Sequence, residues 1–191
     1  MALFLRLIRV FMGLFTLIFS YVKILKLFSQ NDIDDGLEEN VTVVRVSDGD
    51  TYVVRGDDGE FKIRLIGVDT PETQHPNKDV EFFGIEAKKK INELILGKNV
   101  ILARDESQED IDKYERKLRY VFLENGVNFN KWLILNGYAN EYTYDKPYKL
   151  QEEFLEAEKS AEKNKIGIWS DELYDNFLMD QFFNLVKNTS F

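Results

Sequence analysis

The chain has 191 residues, 44% hydrophobic and 31% charged, with no cysteine and one histidine. That composition is globular rather than disordered. It excludes a disulfide scaffold, a thiol nucleophile, an iron–sulfur cluster and a multi-histidine metal centre, so metal chemistry would have to use oxygen ligands, which suit calcium, magnesium or manganese. A net charge of −9 argues against holding nucleic acid by bulk attraction.

The charge is unevenly spread. Residues 1–30 carry Arg6, Arg9, Lys23 and Lys26 and no acid, whereas 31–40 carry Asp32, Asp34, Asp35, Glu38 and Glu39. Val10–Val22 is apolar except for Gly13, Thr16 and Ser20, the length of a signal-peptide core. Extended to Leu3–Leu27 it reaches the length of a membrane span. No small-residue cleavage pattern lies near residues 20–30. Residues 1–30 are therefore predicted to be an uncleaved hydrophobic helix that anchors the chain to a membrane, with the remainder outside the cytoplasm. Secretion after cleavage is one alternative. Another is a mitochondrial membrane, because an acid-free, Arg-bearing amphipathic start also fits a transit segment. Residues 31–40 are predicted to be an acidic linker.

Within residues 41–170, Val41–Val46 and Thr51–Val54 read as strands around the turn Ser47-Asp48-Gly49. Gly56–Gly59 carries an Asp-Gly hairpin signal, and Phe61–Val68 alternates as a third strand. Asp69–Asp79 is a loop containing His75, read as an exposed loop residue. Val80–Leu96 has helical spacing and ends at Gly97. Asn99–Ala103 and Leu118–Leu123 are two further strands, separated by an acid-rich loop. Phe129–Leu135 and Lys149–Lys165 are two more helices, and 171–191 form a C-terminal tail, acidic at first and then apolar, with a short helix packing back on the domain or on the anchor as one reading. Five strands with a helix after the third predict an α+β domain: a five-stranded OB-type β-barrel with three helices, preceded by the N-terminal hydrophobic helix.

Four stretches place unusual polar residues at predicted strand ends and loops: Asp48-Gly49-Asp50-Thr51, Arg64 to Glu72, Asp112-Lys113-Tyr114-Glu115-Arg116, and Tyr142-Thr143-Tyr144. Each has a plain reading alone, as a turn, a helix start, a wet strand face, a surface ion pair or a core tyrosine pair. Together they supply carboxylates for a hard cation, two arginines that match phosphate oxygens, and a spare carboxylate able to orient or deprotonate a water.

In that order, and with His75-Pro76, Glu86-Ala87 and Ile168-Trp169-Ser170, these stretches make Val43–Ser170 resemble the staphylococcal nuclease family. The resemblance implies a Ca²⁺-dependent endonuclease of DNA and RNA that leaves 3′-phosphate ends. It implies that Asp50, Asp69 and the Thr70 carbonyl ligate Ca²⁺, and that Glu72 positions or activates the attacking water. Arg64 and Arg116 would hold the scissile phosphate. Lys113, Tyr114, Tyr142 and Tyr144 would contact the nucleotide, with Asp48 behind the ligands. DNA, RNA and the membrane are the implied partners, with no obligate protein partner. One departure stands out: the family commonly has glycine where this chain has Glu115. Glutamate tolerates positive φ poorly, which predicts a rearranged loop in which Glu115 could pair with Arg116. The acids of 105–112 are predicted to repel a substrate backbone. The rival reading is a non-catalytic OB-fold module for nucleic acid or protein, which should show a basic groove with stacking aromatics.

Overall fold

The β-branched run after the acidic stretch forms β1 (Glu39–Asp48), which turns at Gly49-Asp50 into β2 (Thr51–Gly56). The structure is a computed structural model that describes residues 39–73 and 80–188. The expected N-terminal anchor, most of the acidic linker and His75 lie outside the described residues. Among the described residues, no helix is long and apolar enough to cross a membrane.

The Asp-Gly turn leads into β3 (Gly59–Leu65), with Gly56 opposite Gly59 in the hairpin register. After the two-residue strand β4 (Val68–Asp69) come α1 (Gly84–Ile95), β5 (Asn99–Ala103) and β6 (Lys117–Leu123). These five main strands close a barrel in the order β1-β2-β3-β6-β5. Only the β3–β6 pairing is parallel. A parallel pair needs a long crossover, and α1 with β5 supplies it. Val43, Tyr52, Val54, Ile63, Leu65, Leu102 and Val121 are fully buried, as period-two alternation demands of a barrel interior.

Three helices follow: α2 (Phe129–Leu135), α3 (Gln151–Lys163) and α4 (Asp171–Asn188). The Asn128 side chain caps α2 by accepting from Lys131 N–H at 3.1 Å. Between α2 and α3, β7 (Asn140–Glu141) pairs with β4 and brings Asn140 opposite Asp69.

Several boundaries differ from the sequence expectation. β1 begins at Glu39, inside the stretch read as linker, because Glu39 and Asn40 pair with Leu102 and Ile101 of β5. Helix α1 starts at Gly84 rather than Val80. The chain first makes a turn in which Gly84 N–H donates to Glu81 O at 3.1 Å, and Phe83 takes φ 65°. The tail forms a helix of 18 residues, so the barrel carries four α-helices, not three.

Candidate active site

The turn between β1 and β2 is clamped from inside: buried Tyr52 donates its hydroxyl to Gly49 O at 2.7 Å. Thr51 lies opposite Arg64 in the β2–β3 register, so the two strands deliver Asp50 and Arg64 to the same point. Arg64 Nη2 sits 3.1 Å from Asp50 Oδ2 and 3.4 Å from Asp69 Oδ1, and Nη1 donates to the carbonyls of Leu65 and Val68. Asp50 Oδ2 also faces Thr70 N–H at 3.4 Å. Asp50, Asp69, Thr70 and Arg64 thus come together as the sequence predicts.

The Thr51 hydroxyl, given no role from sequence, donates to Asp50 Oδ1 at 2.9 Å and accepts from Arg116 Nη1 at 3.1 Å. It joins the aspartate side of the site to the second arginine. Arg116 is oriented by Asp112, whose Oδ2 accepts from Nε at 2.7 Å and Nη2 at 2.6 Å. Asp112 Oδ1 accepts from the backbone N–H groups of Tyr114 and Arg116. Burial works against the Asp112 carboxylate, yet these donors hold its pKa below the ordinary value. The sequence signal for this role was an acid four residues before the arginine.

The expected Glu115–Arg116 pair is not formed. Glu115 is exposed and takes φ 60°, the left-handed conformation that glycine adopts most readily, and the loop still sets Asp112 on Arg116. The acids of the preceding loop are largely used internally. Asp105 accepts from Tyr120 and from Lys149 N–H, and Asp110 from Arg119. Glu109 lines the cleft.

That cleft has a volume of about 630 Å³. Arg64, Asp69, Asp112, Lys113, Tyr114, Arg116, Tyr142 and Tyr144 all line it, over a floor that includes Leu65, Ile66 and Leu118. Tyr114, Tyr142 and Tyr144 are 65%, 44% and 73% exposed, which rules out the core reading for the tyrosine pair. The rings of Tyr142 and Tyr144 stand 6.4 Å apart. Lys113 Nζ lies 3.3 Å from the Tyr144 hydroxyl and over the Tyr114 ring.

Glu72 follows Thr70-Pro71, and its Oε1 accepts from Thr73 N–H at 3.1 Å. Its own N–H donates to Glu81 Oε2 at 3.0 Å, and Glu81 N–H donates back to Glu72 O at 3.0 Å. No sequence pattern points to this reciprocal clamp, since the two residues are nine apart across a loop.

Negative charge is crowded here. Burial, with Asp50 and Glu72 nearby, pushes Asp48 up to about 6, against the Gly49 N–H and the charge of Lys88. Asp69 is raised by burial and by Asp50, with Arg64 opposing. Among the described residues, no three acids or histidines converge as a complete ligand cluster. The fold instead brings together a pair of carboxylates, Asp50 and Asp69, on Arg64 Nη2. The pair's all-oxygen chemistry and excess of negative charge fit a hard divalent cation that fills its remaining positions with water or substrate oxygens.

A family model described as staphylococcal nuclease homologue matches residues 62–171. A thermonuclease of Staphylococcus hyicus is 38% identical over 144 residues, covering 75% of this chain and 83% of that protein. A thermonuclease of Staphylococcus intermedius is 37% identical over 131 residues, covering 69% and 76%. An SPbeta prophage-derived endonuclease, YokF, of Bacillus subtilis is 33% identical over 146 residues, covering 76% of this chain and 48% of its own. The chain belongs to the staphylococcal nuclease homologue family.

Proposed function

We propose that this protein is a Ca²⁺-dependent endonuclease that hydrolyses phosphodiester bonds of DNA and RNA and leaves 3′-phosphate ends. The observation that carries the reading is the shared cleft: two arginines and an aspartate at its head, with exposed tyrosines along it. The thermonuclease and endonuclease relatives support it.

Asp50, Asp69 and the Thr70 carbonyl would hold the ion. When bound, Ca²⁺ supplies positive charge against the charge that builds on phosphorus. Arg64 and Arg116 donate to the non-bridging phosphate oxygens and hold the phosphate in line for attack. Glu72 orients the attacking water and accepts its proton. The water oxygen bonds to phosphorus, the bond from phosphorus to the 5′ oxygen breaks, and that oxygen takes a proton from solvent water and leaves as a 5′-hydroxyl, while Glu72 returns its proton to solvent. The phosphate stays on the 3′ side. Lys113 and Tyr114 bind the neighbouring phosphate or sugar, and Tyr142 and Tyr144 offer faces for base stacking. Asp48 supports the ligands from behind. The acid-free apolar segment 1–30 supports membrane attachment, with the catalytic domain outside the cytoplasm.

The test is cleavage of single-stranded DNA by the purified full chain in Ca²⁺ and in EDTA, beside Glu72→Gln and Arg116→Ala. Each variant is expected to lose at least about a hundredfold in kcat. Undiminished cleavage in EDTA, or in either variant, would sink the assignment.

A further inference from the structure

Helix α4 lies almost wholly past residue 171, where the family match ends. Over residues 171–182, the part of the helix whose side chains are described, all are exposed except Phe177, which is half-buried. Its ring lies 5.5 Å from that of Phe82, and the Tyr174 ring meets the same Phe82 edge-on at 5.2 Å. Phe82 is therefore held by two aromatic rings from α4, a geometry that aromatic pairs favour. Phe82 immediately follows Glu81, whose carboxylate and N–H make the two hydrogen bonds that hold the Glu72 backbone. Gly84 closes the same corner. A Cβ there would stand 3.1 Å from both the Glu72 and Pro71 carbonyl oxygens, so the start of α1 packs directly on the backbone that carries Glu72. A cavity of about 270 Å³, lined by Asp69, Thr70, Glu81, Phe82, Asn140 and Trp169 among others, leaves room for this corner to move if its outer support is lost.

We propose that α4 is a positioning element. Through Tyr174 and Phe177 on Phe82, it fixes Glu81, and through Glu81 it fixes the backbone of Glu72. The inference rests on the reading of Glu72 as the water-orienting carboxylate, but its structural core can be measured without activity. An appended helix would then set the rate of a site it does not touch, since small displacements of a catalytic group are costly.

The experiment uses the full chain and compares wild type with Phe177→Ala, Tyr174→Phe and Met179→Ala. Met179 is 53% exposed on the same helix and serves as the control. Amide hydrogen exchange is followed at Glu72 and Glu81, with Leu102 reporting on the barrel. Phe177→Ala is expected to speed exchange at Glu72 and Glu81 about tenfold and leave Leu102 unchanged. In the same variant kcat is expected to fall about tenfold with KM within about twofold, because the cleft that binds substrate is untouched. Tyr174→Phe, which keeps the ring, and Met179→Ala are expected to match wild type in both. Wild-type protection of Glu72 and Glu81 in Phe177→Ala would overturn the proposal whatever the activity. So would a loss carried by KM alone, or an equal loss in Met179→Ala. A wild-type chain that cleaves nothing would instead remove the nuclease reading, and the exchange data would still decide whether α4 holds this corner.

Discussion

Gly49 is packed so closely on Thr70 that a Cβ at Gly49 would lie 2.4 Å from Thr70 Oγ1 and 2.7 Å from its Cβ and Cγ2. The glycine between the two aspartates is thus more than a turn residue: its bareness lets the β1–β2 turn and the loop after β4 meet. Gly49→Ala has to push Thr70 away, and both the Asp50 turn and the Thr70 carbonyl move with it. The expected cost is about 1–3 kcal/mol in stability from overpacking. Ca²⁺ binding, read by calorimetry, is expected to weaken about tenfold, equivalent to ~1.4 kcal/mol. Wild-type affinity in a folded Gly49→Ala protein would separate Thr70 from the ion site.

Asp112 gives both side-chain oxygens to one task, Oδ2 to the Arg116 guanidinium and Oδ1 to the loop backbone. Asp112→Ala should leave Arg116 charged but unaimed. A fall in kcat of about 10–100-fold is expected, of the size seen when a catalytic group is misplaced rather than removed. In a double-mutant cycle, Arg116→Ala should cost much less in the Asp112→Ala background than in wild type. Additive losses would mean that Asp112 acts independently of the arginine.

The barrel was legible because its strands are β-branched and apolar runs bounded by turn signals, although β2 and β6 bury consecutive residues rather than alternating. Asn99–Ala103 and Phe129–Leu135 fall where the pattern put them. Helix α1 was overextended because Val80 and Phe83 are apolar at helical spacing. Nothing in that spacing reveals that Phe83 takes φ 65° to let Gly84 approach the Pro71 and Glu72 carbonyls. β4 and β7 pair only two residues each, Val68 with Glu141 and Asp69 with Asn140, too short a run for periodicity to register. The tail reads from sequence as a short helix at most, and its length of 18 residues is hidden because its apolar residues fall all around the axis and no single face stands out. Within the site, the residues that would touch substrate or ion were readable as motifs. Thr51 and Asp112 stand inside the same motifs, but their aiming roles, like that of Glu81, depend on which hydrogen bonds the fold closes.

Glu115 keeps the left-handed conformation, at φ 60°. A non-glycine residue there costs roughly 1–2 kcal/mol, partly offset because glycine gives the unfolded chain more freedom. Glu115→Gly is expected to stabilise the protein by about 0.5–1 kcal/mol in denaturant unfolding. The Asp112–Arg116 pair is already in place without it, so kcat is expected to change by less than about twofold. A large rise in kcat would show that Glu115 disturbs the arginine in a way its exposed position does not suggest.

Asp105 ties the far side of the cleft to the barrel. It is 3% exposed. Its Oδ2 accepts from the Tyr120 hydroxyl at 2.6 Å and Lys149 N–H at 2.8 Å, and its Oδ1 accepts from Ser107 N–H at 2.9 Å. Burial alone would raise its pKa, but these hydrogen bonds outweigh it and the folded value is lowered. A carboxylate lowered on folding stabilises the protein above its unfolded pKa, about 3.9, and loses that contribution as pH falls through the folded value. Asp105→Asn, which keeps the shape but not the charge, is therefore expected to cost about 1–3 kcal/mol at neutral pH. The difference from wild type should shrink as pH falls below about 4, where the unfolded chain's carboxyl takes up its proton first, and disappear only below the lowered folded value. Urea unfolding at pH 7 and pH 3 reads both. The same loop sends Gln108 Nε2 to the Pro147 carbonyl at 2.9 Å, and both Gln108 and Tyr148 line the cleft. Loosening Asp105 should thus raise KM for nucleic acid more than it lowers kcat. An equal stability gap at both pH values would show that shape, not charge, makes Asp105 the anchor.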